Sequence, residues 1–299
     1  MKAKKLIISA AIALQLNVMA KEPLHVSVRE GFNHPESVVG HRKHLLVSNT
    51  GSELNPTAKD QDGYISLLDR KTGEIIDAKY FSGLNSPKGM HVKGNTLFVT
   101  DIDKVIAYNL RTKEQKFVID MQNVDAAYLN DITKAIGGVY VSETYNNKLY
   151  KIKKKGKIKD IEFKGEPVSR INGVSKRPLS KVYVAGFGES NDNSGGIAKF
   201  GVVRKKLKNV KSSGVNDGIV IKNRKVYFTD WVDAQSSQGK LEVTKRRKNA
   251  KVKTIDLPFV LNGPSDIYAD RRNNILYIPA MNEDKVISIP FSQLRPIKN

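Results

Sequence analysis

Six segments of this 299-residue chain open in the same way, and that repetition limits the fold more than any other feature. Each opens with a small polar or charged residue beside Gly or Pro. A short run, a turn and a β-rich run ending in Ser, Thr or Asp follow. The copies are HPESVVGHRKHLLVSNTG from His34, SPKGMHVKGNTLFVTDID from Ser86, LNDITKAIGGVYVSETYNN from Leu129, INGVSKRPLSKVYVAGFGE from Ile171, VNDGIVIKNRKVYFTDWVD from Val215 and GPSDIYADRRNNILYIPAMNEDK from Gly263. Aligned on the opening, they bring Glu36, Lys88, Asn130, Asn172, Asp217 and Asp266 into register, at intervals of 52, 42, 42, 45 and 49 residues. A period of this size, filled with short strands and turn signals, predicts an all-β, six-bladed β-propeller with four-stranded blades. A β-sandwich would not explain six similar openings. No stretch of the mature chain sustains a 3.6-residue apolar period with caps.

The third copy shows the expected blade. DITKAI, VYVSET, KLYKIKK and IKDIEF are its strands, with turns at Gly137-Gly138, Asn146-Asn147 and Gly156. The last copy supplies only SDIYAD, ILYIPAM and KVISIPF, one strand short. LHVSVRE (24–30) is a strand without a blade, so it is expected to complete the last blade, close the ring and cover its open edge.

The first twenty residues, MKAKKLIISAAIALQLNVMA, have a basic start, an apolar stretch and small residues at Val18 and Ala20. That is the pattern of a secretory signal peptide, expected to be cleaved before Lys21. Residues 21–299 are then expected to form a single propeller domain, periplasmic or secreted. No later segment is long and apolar enough to span a bilayer as a helix.

The formal net charge is +21, or +18 without the three lysines of the leader. Lys and Arg are spread along the chain and are densest in KIKKKGKIK (151–159) and VTKRRKNAKVK (243–253), without interleaved aromatics. These read as solvated hairpin tips, not as a nucleic-acid face. The charge can still promote adsorption to anionic surfaces or attract anionic substrates. The chain has no cysteine, which excludes disulfides, thiolate catalysis and Cys-bound zinc.

In a propeller the inner strands line a central channel, so the six registered residues should converge. Their oxygen donors, with no His or Cys among them, suit a hard cation such as Ca²⁺. Each Asn or Asp near Gly is, taken alone, also a plausible turn residue, and Asp131 can be either a support for Asn130 or simply a turn residue. Glu36 has no special role in turns. A six-bladed propeller with Glu in PES, Asn in LND, Asn in ING and Asp in NDG at blades one, three, four and five resembles the senescence marker protein/gluconolactonase (regucalcin-like) family, with its diisopropylfluorophosphatase and paraoxonase relatives. The resemblance implies one divalent metal, usually calcium, held by Glu36, Asn130, Asn172 and Asp217. It implies metal-assisted hydrolysis of a lactone or ester, with Asp217 as catalytic base or nucleophile. Sugar-lactone hydrolases of the family carry Arg two residues before the first Asn. Here that residue is Tyr128, which argues against an aldonolactone. No motif supports a paraoxonase-like His pair.

Lys88, Tyr128 and Asp266 are the expected contacts of a small-molecule substrate, with Lys88 holding an anion or pairing with Asp266. His91 is either a channel residue or a packed strand His. Trp231 is expected between blades or at the pocket mouth. The polar loops 49–63 and 186–196 are expected at the pocket rim. The alternative reading is a non-catalytic propeller that binds a small ligand or partner protein on its loop face.

Overall fold

The computed structural model describes residues 26–297, except 125, 154–155, 165–167, 177–180, 190–193, 203–205, 212, 233–237 and 247–249. The expected signal peptide therefore lies outside the described residues. Six antiparallel sheets follow one another along the chain, each running outward from an inner strand. The inner strands are Pro35–His41, Pro87–Lys93, Leu129–Ala135, Ile171–Lys176, Asn216–Lys222 and Tyr268–Asp270. The fold is the all-β, six-bladed propeller that the repeat predicts. In the third blade the strands are Leu129–Ala135, Gly138–Glu143, Lys148–Lys153 and Ile158–Asp160, in the expected order. Blade five carries one further short strand, Leu261–Asn262, against Gln238–Gly239.

Ser27–Arg29 closes the ring, pairing with Lys285–Pro290 as the outer strand of blade six. A second tie crosses the same seam. Arg70, just past the third strand of blade one, grips Asp270 of blade six with two bonds, 2.7 Å through Nε and 2.5 Å through an Nη. Asp270 is fully buried and also accepts the backbone N–H groups of Arg272 and Asn273. Arg70 beside it and these N–H groups hold its carboxyl below the usual range, against the effect of burial.

The recurring end of each second strand has a structural reason. The Ser or Thr of VSN, VTD, VSE and FTD is buried between its own inner strand and the next. Ser48, Ser142 and Thr229 each accept a bond from the inner strand of their own blade, from Ser37, Asp131 and Gly218 N–H groups at 2.8–2.9 Å. Thr100, Ser142 and Thr229 donate to a backbone carbonyl of the following blade, at Asn130, Asn172 and Ser265. The acid that follows then binds the loop leading into the blade. Asp101 accepts from Asn85 and Ser86, Glu143 from Tyr128, and Asp230 from Val215. One short polar pair thus satisfies buried backbone groups within a blade and between blades. Blade four, with Ala185-Gly186, and blade six, with Pro279-Ala280, lack it.

The two lysine-rich segments form hairpins of the outer strands, Lys148–Lys153 with Ile158–Asp160 and Gln238–Lys245 with Val252–Thr254. Residues 154–155 at the first tip and 247–249 at the second lie outside the described residues. Among the described residues no helix is long and apolar enough to cross a membrane.

Arg70→Ala would strand the buried Asp270 carboxylate at the seam. It is expected to destabilise the fold by about 3–5 kcal/mol in urea unfolding. A loss below about 1 kcal/mol would show that the seam does not depend on this pair.

Candidate functional site

The registered residues do not lie on regular strand. In five blades the ladder between the first two strands shifts register at the opening: between Pro35 and Ser37, Pro87 and Met90, Leu129 and Ile132, Ile171 and Val174, and Asn216 and Ile219. Glu36, Lys88, Asn130, Asn172 and Asp217 each sit inside one of these irregularities. A bulge re-aims the side chain it carries, and here it does so once per blade. Gly173, next to Asn172, permits the close approach this requires. A Cβ there would stand 2.1 Å from the Asp217 carbonyl of the next blade. Blade six has no such register shift. Asp266 precedes its inner strand and is tied to blade one, through its N–H to the Glu36 carbonyl at 3.0 Å and its carboxylate to the Ser37 hydroxyl at 2.7 Å.

All six registered residues are buried. Seven buried side-chain nitrogen or oxygen atoms lack a hydrogen-bond partner among the described residues. Four of the seven are Glu36 Oε2, Asn130 Oδ1, Asn172 Oδ1 and Asp217 Oδ1, one from each member of the quartet. A fifth is the indole nitrogen of Trp231. Orphaned buried polar atoms are costly and rare. All four quartet atoms are hard oxygen donors, so the set fits a hard cation. Among the described residues no group of three or more His, Asp or Glu side chains is placed to hold a metal ion.

The electrostatics show the same imbalance. Glu36 is pushed well above the usual carboxylate range by burial and then by Asp217 and Asp131, with Lys88 opposing. Burial and Asp131 raise Asp217 to about 8, although Trp231 acts to lower it. Asp266 is pushed well up by burial, Asp131 and Glu36. Asp131 rises to about 7 through burial, against bonds from Val174 and Ile132 N–H groups. These four carboxyls therefore feel one another around the axis. The bond from Val174 N–H, at 2.6 Å, makes Asp131 a support joining blades three and four, more than a turn residue.

Lys88 is the buried cation that the pattern supplies. It is 1% exposed, and burial lowers it to about 8 while Glu36 and Asp101 resist. It does not bond Asp266. Its ammonium donates to the carbonyls of Pro56, at 2.6 Å, and Ser86, at 3.0 Å. Loop 49–63 thus reaches over the quartet's end of the channel, as expected for a rim loop. Loop 186–196 is described only in part, at 186–189 and 194–196.

Tyr128 belongs to a stacked wall. Lys88 Nζ lies 4.7 Å from its ring centre, the Tyr145 ring packs 4.6 Å away, and the Arg170 guanidinium lies 5.2 Å over Tyr145. Tyr145 and Arg170 were not picked out by the repeat. Arg170 was findable, because it stands two residues before Asn172, just as Tyr128 stands two before Asn130. Trp231 packs edge-on against Phe187 of blade four at 5.9 Å, so it serves the blade contact and also neighbours Asp217. His91 lies in the channel with Asp131, Asp266, Lys134, Lys176 and Arg271. Burial and the lysines Lys134 and Lys93 lower it to about 4.

No family model matches the chain, and no curated protein matches it. Solved structures do. A candidate gluconolactonase aligns over 93% of this chain and 96% of its own, with a TM-score of 0.60 and 11% identity. A catalytically inactive variant of virginiamycin B lyase from Staphylococcus aureus, solved with quinupristin, aligns over 90% and 99%, with a TM-score of 0.57 and 13% identity. A streptogramin B lyase aligns over 91% and 98%, again at 0.57 and 13%. At these identities the likeness establishes the propeller fold and nothing finer.

The raised carboxyls predict an inverted pH dependence for this region. Protons that the unfolded chain loses near pH 4 are kept in the folded state up to about 7 at Asp131 and about 8 at Asp217. Their contribution to stability is complete below the unfolded values and is lost as pH rises through the folded ones. In chelator, Asp217→Asn should therefore raise the melting temperature more at pH 8 than at pH 5. An equal effect at both values would contradict the charge crowding.

Proposed function

We propose that the chain is an exported, metal-dependent hydrolase of lactones or esters, with one divalent cation, calcium by its donor set, at the channel quartet. The observation that carries this reading is the set of four partnerless buried oxygens, one each on Glu36, Asn130, Asn172 and Asp217. Two carboxylates would balance the ion's charge, and two amides would add ligands without adding repulsion. The bound ion would polarise the carbonyl oxygen of the substrate.

The chain's own residues supply the rest. With the cation bound beside it, Asp217 would be ionised and could serve as general base on an attacking water or as nucleophile. The Trp231 indole stands beside Asp217 and acts to lower its proton affinity. Lys88, fixed by the Pro56 and Ser86 carbonyls, offsets part of the negative charge of Glu36 without leaving its place. Asp266, bound to Ser37, steadies the blade-six side. The Tyr128–Tyr145 stack and the Phe187–Trp231 pair would give a substrate bound there aromatic walls. Such walls favour an apolar or aromatic acyl group over a polyhydroxylated sugar lactone. This agrees with Tyr128 standing where the sugar-lactone hydrolases have Arg.

Calcium titration by calorimetry should show one site, with affinity reduced by about 100-fold or more in Glu36→Gln and Asp217→Asn. Retention of full affinity in both variants would remove the quartet as the site. A panel of aliphatic lactones and aryl esters should show turnover that chelator abolishes and calcium restores. Asp217→Asn should lower that turnover by at least about 100-fold. Calcium binding without turnover on any member would favour the second reading, a propeller that binds a ligand without converting it. The contact of loop 49–63 with Lys88 is the observation on that side, because the loop covers part of the quartet's end.

A further inference from the structure

A cavity of about 580 Å³ lies away from the axis, in the cleft between blades two and three. The repeat supplies its own control, since blades one and two enclose a cleft at the equivalent position. That one holds only about 180 Å³. Strand pairing identifies the matching residues. Leu67 and Phe81 of blade one correspond to Ala107 and Ile119 of blade two, and Leu97 and Tyr108 of blade two correspond to Val139 and Ile152 of blade three. In the first cleft Phe81 and Tyr108 stack at 4.2 Å and fill the space. In the second, aliphatic residues replace both rings and Ala replaces Leu. Phe98, matching Leu46, and Phe117, matching Asp77, are larger, and they pack edge-on at 6.1 Å on one side of the cleft.

The lining has one sign of charge. Lys93, Lys116 and Lys153 stand around an apolar wall of Phe98, Val105, Val139 and Ile152, and no acid lines the cavity. Lys116 donates to Thr96 at 3.0 Å. Among the described residues none of the three lysines forms an ion pair. Phe117 and Val118 are large apolar residues left exposed at the same cleft. A chain with a net charge of +21 and lysines at this mouth is poorly suited to dock a second copy of itself there.

We propose that this cleft binds an amphipathic monocarboxylate, with its aliphatic tail along the wall between the blades and its carboxylate among Lys93, Lys116 and Lys153. The volume lies within the range of small-molecule sites. Three ammonium groups match one anionic head, and a continuous apolar wall matches a tail. The site is separate from the quartet and does not depend on the metal reading.

Calorimetry of the full chain with dodecanoate tests this. Dodecanoate should bind, and dodecyltrimethylammonium should bind at least about tenfold more weakly. Ile119→Phe with Ile152→Tyr rebuilds the ring pair of the first cleft. It should lower dodecanoate affinity by about tenfold or more without lowering the melting temperature. Lys93→Glu with Lys116→Glu, both at the surface, should weaken dodecanoate similarly while leaving calcium binding unchanged. The proposal is overturned if dodecanoate does not bind, if the cationic amphiphile binds equally well, or if dodecanoate affinity is unchanged in either variant. Concentration-dependent dimerisation that the filling variant abolishes, without dodecanoate binding, would assign the cleft to a second copy instead.

Discussion

Six inner strands meet at one axis, and four of the residues they bring there are carboxylic acids set against a single buried ammonium. These are Glu36, Asp131, Asp217 and Asp266. Burial raises the proton affinity of all four, Asp131 adds to that of Glu36, Asp217 and Asp266, and Lys88 offsets only part of the charge on Glu36. A buried excess of negative charge is tolerated only by keeping protons or by holding a cation. The rest of the ring is arranged around that condition. Bulges turn the side chains inward, Gly173 lets neighbouring backbones approach, and Ser and Thr hydroxyls of the second strands bind inner-strand carbonyls across three blade boundaries.

Much of the architecture was legible in the sequence because each visible signal carries its own hydrogen bonds. VTD, VSE and FTD recur because the hydroxyl and the acid satisfy backbone groups that every blade buries. LHVSVRE could be assigned to the last blade because a three-stranded blade leaves an unpaired edge. The bulges were not legible. Asn130-Asp131 reads equally well as a turn, and only the shift from Leu129 to Ile132 shows that the two side chains have different duties. Asn130 keeps a free oxygen in the quartet, while Asp131 holds the Val174 N–H group of the next blade.

The rim was legible only in part. Tyr128 was located from its offset to Asn130, but its ring partner Tyr145 holds no registered position. Pro56, which accepts from Lys88, lies in an irregular loop. Lys88 was read as a hand for substrate or a mate for Asp266. The structure commits its ammonium to carbonyls, a role no spacing rule describes. The cavity between blades two and three was invisible for another reason. Ala107, Ile119 and Ile152 are ordinary strand residues, and their small size matters only when each is set beside its counterpart one blade earlier.

Electrostatics links the fold to its chemistry. The same burial that makes the quartet expensive to the fold raises the proton affinity of Glu36 and Asp217, which a bound cation would oppose. The most direct test of this account is a crystal structure grown with calcium. It should show one ion at the axis, about 2.3–2.6 Å from Glu36, Asn130, Asn172 and Asp217 oxygens. Ordered water alone among these four side chains, in crystals grown with calcium in large excess, would contradict it.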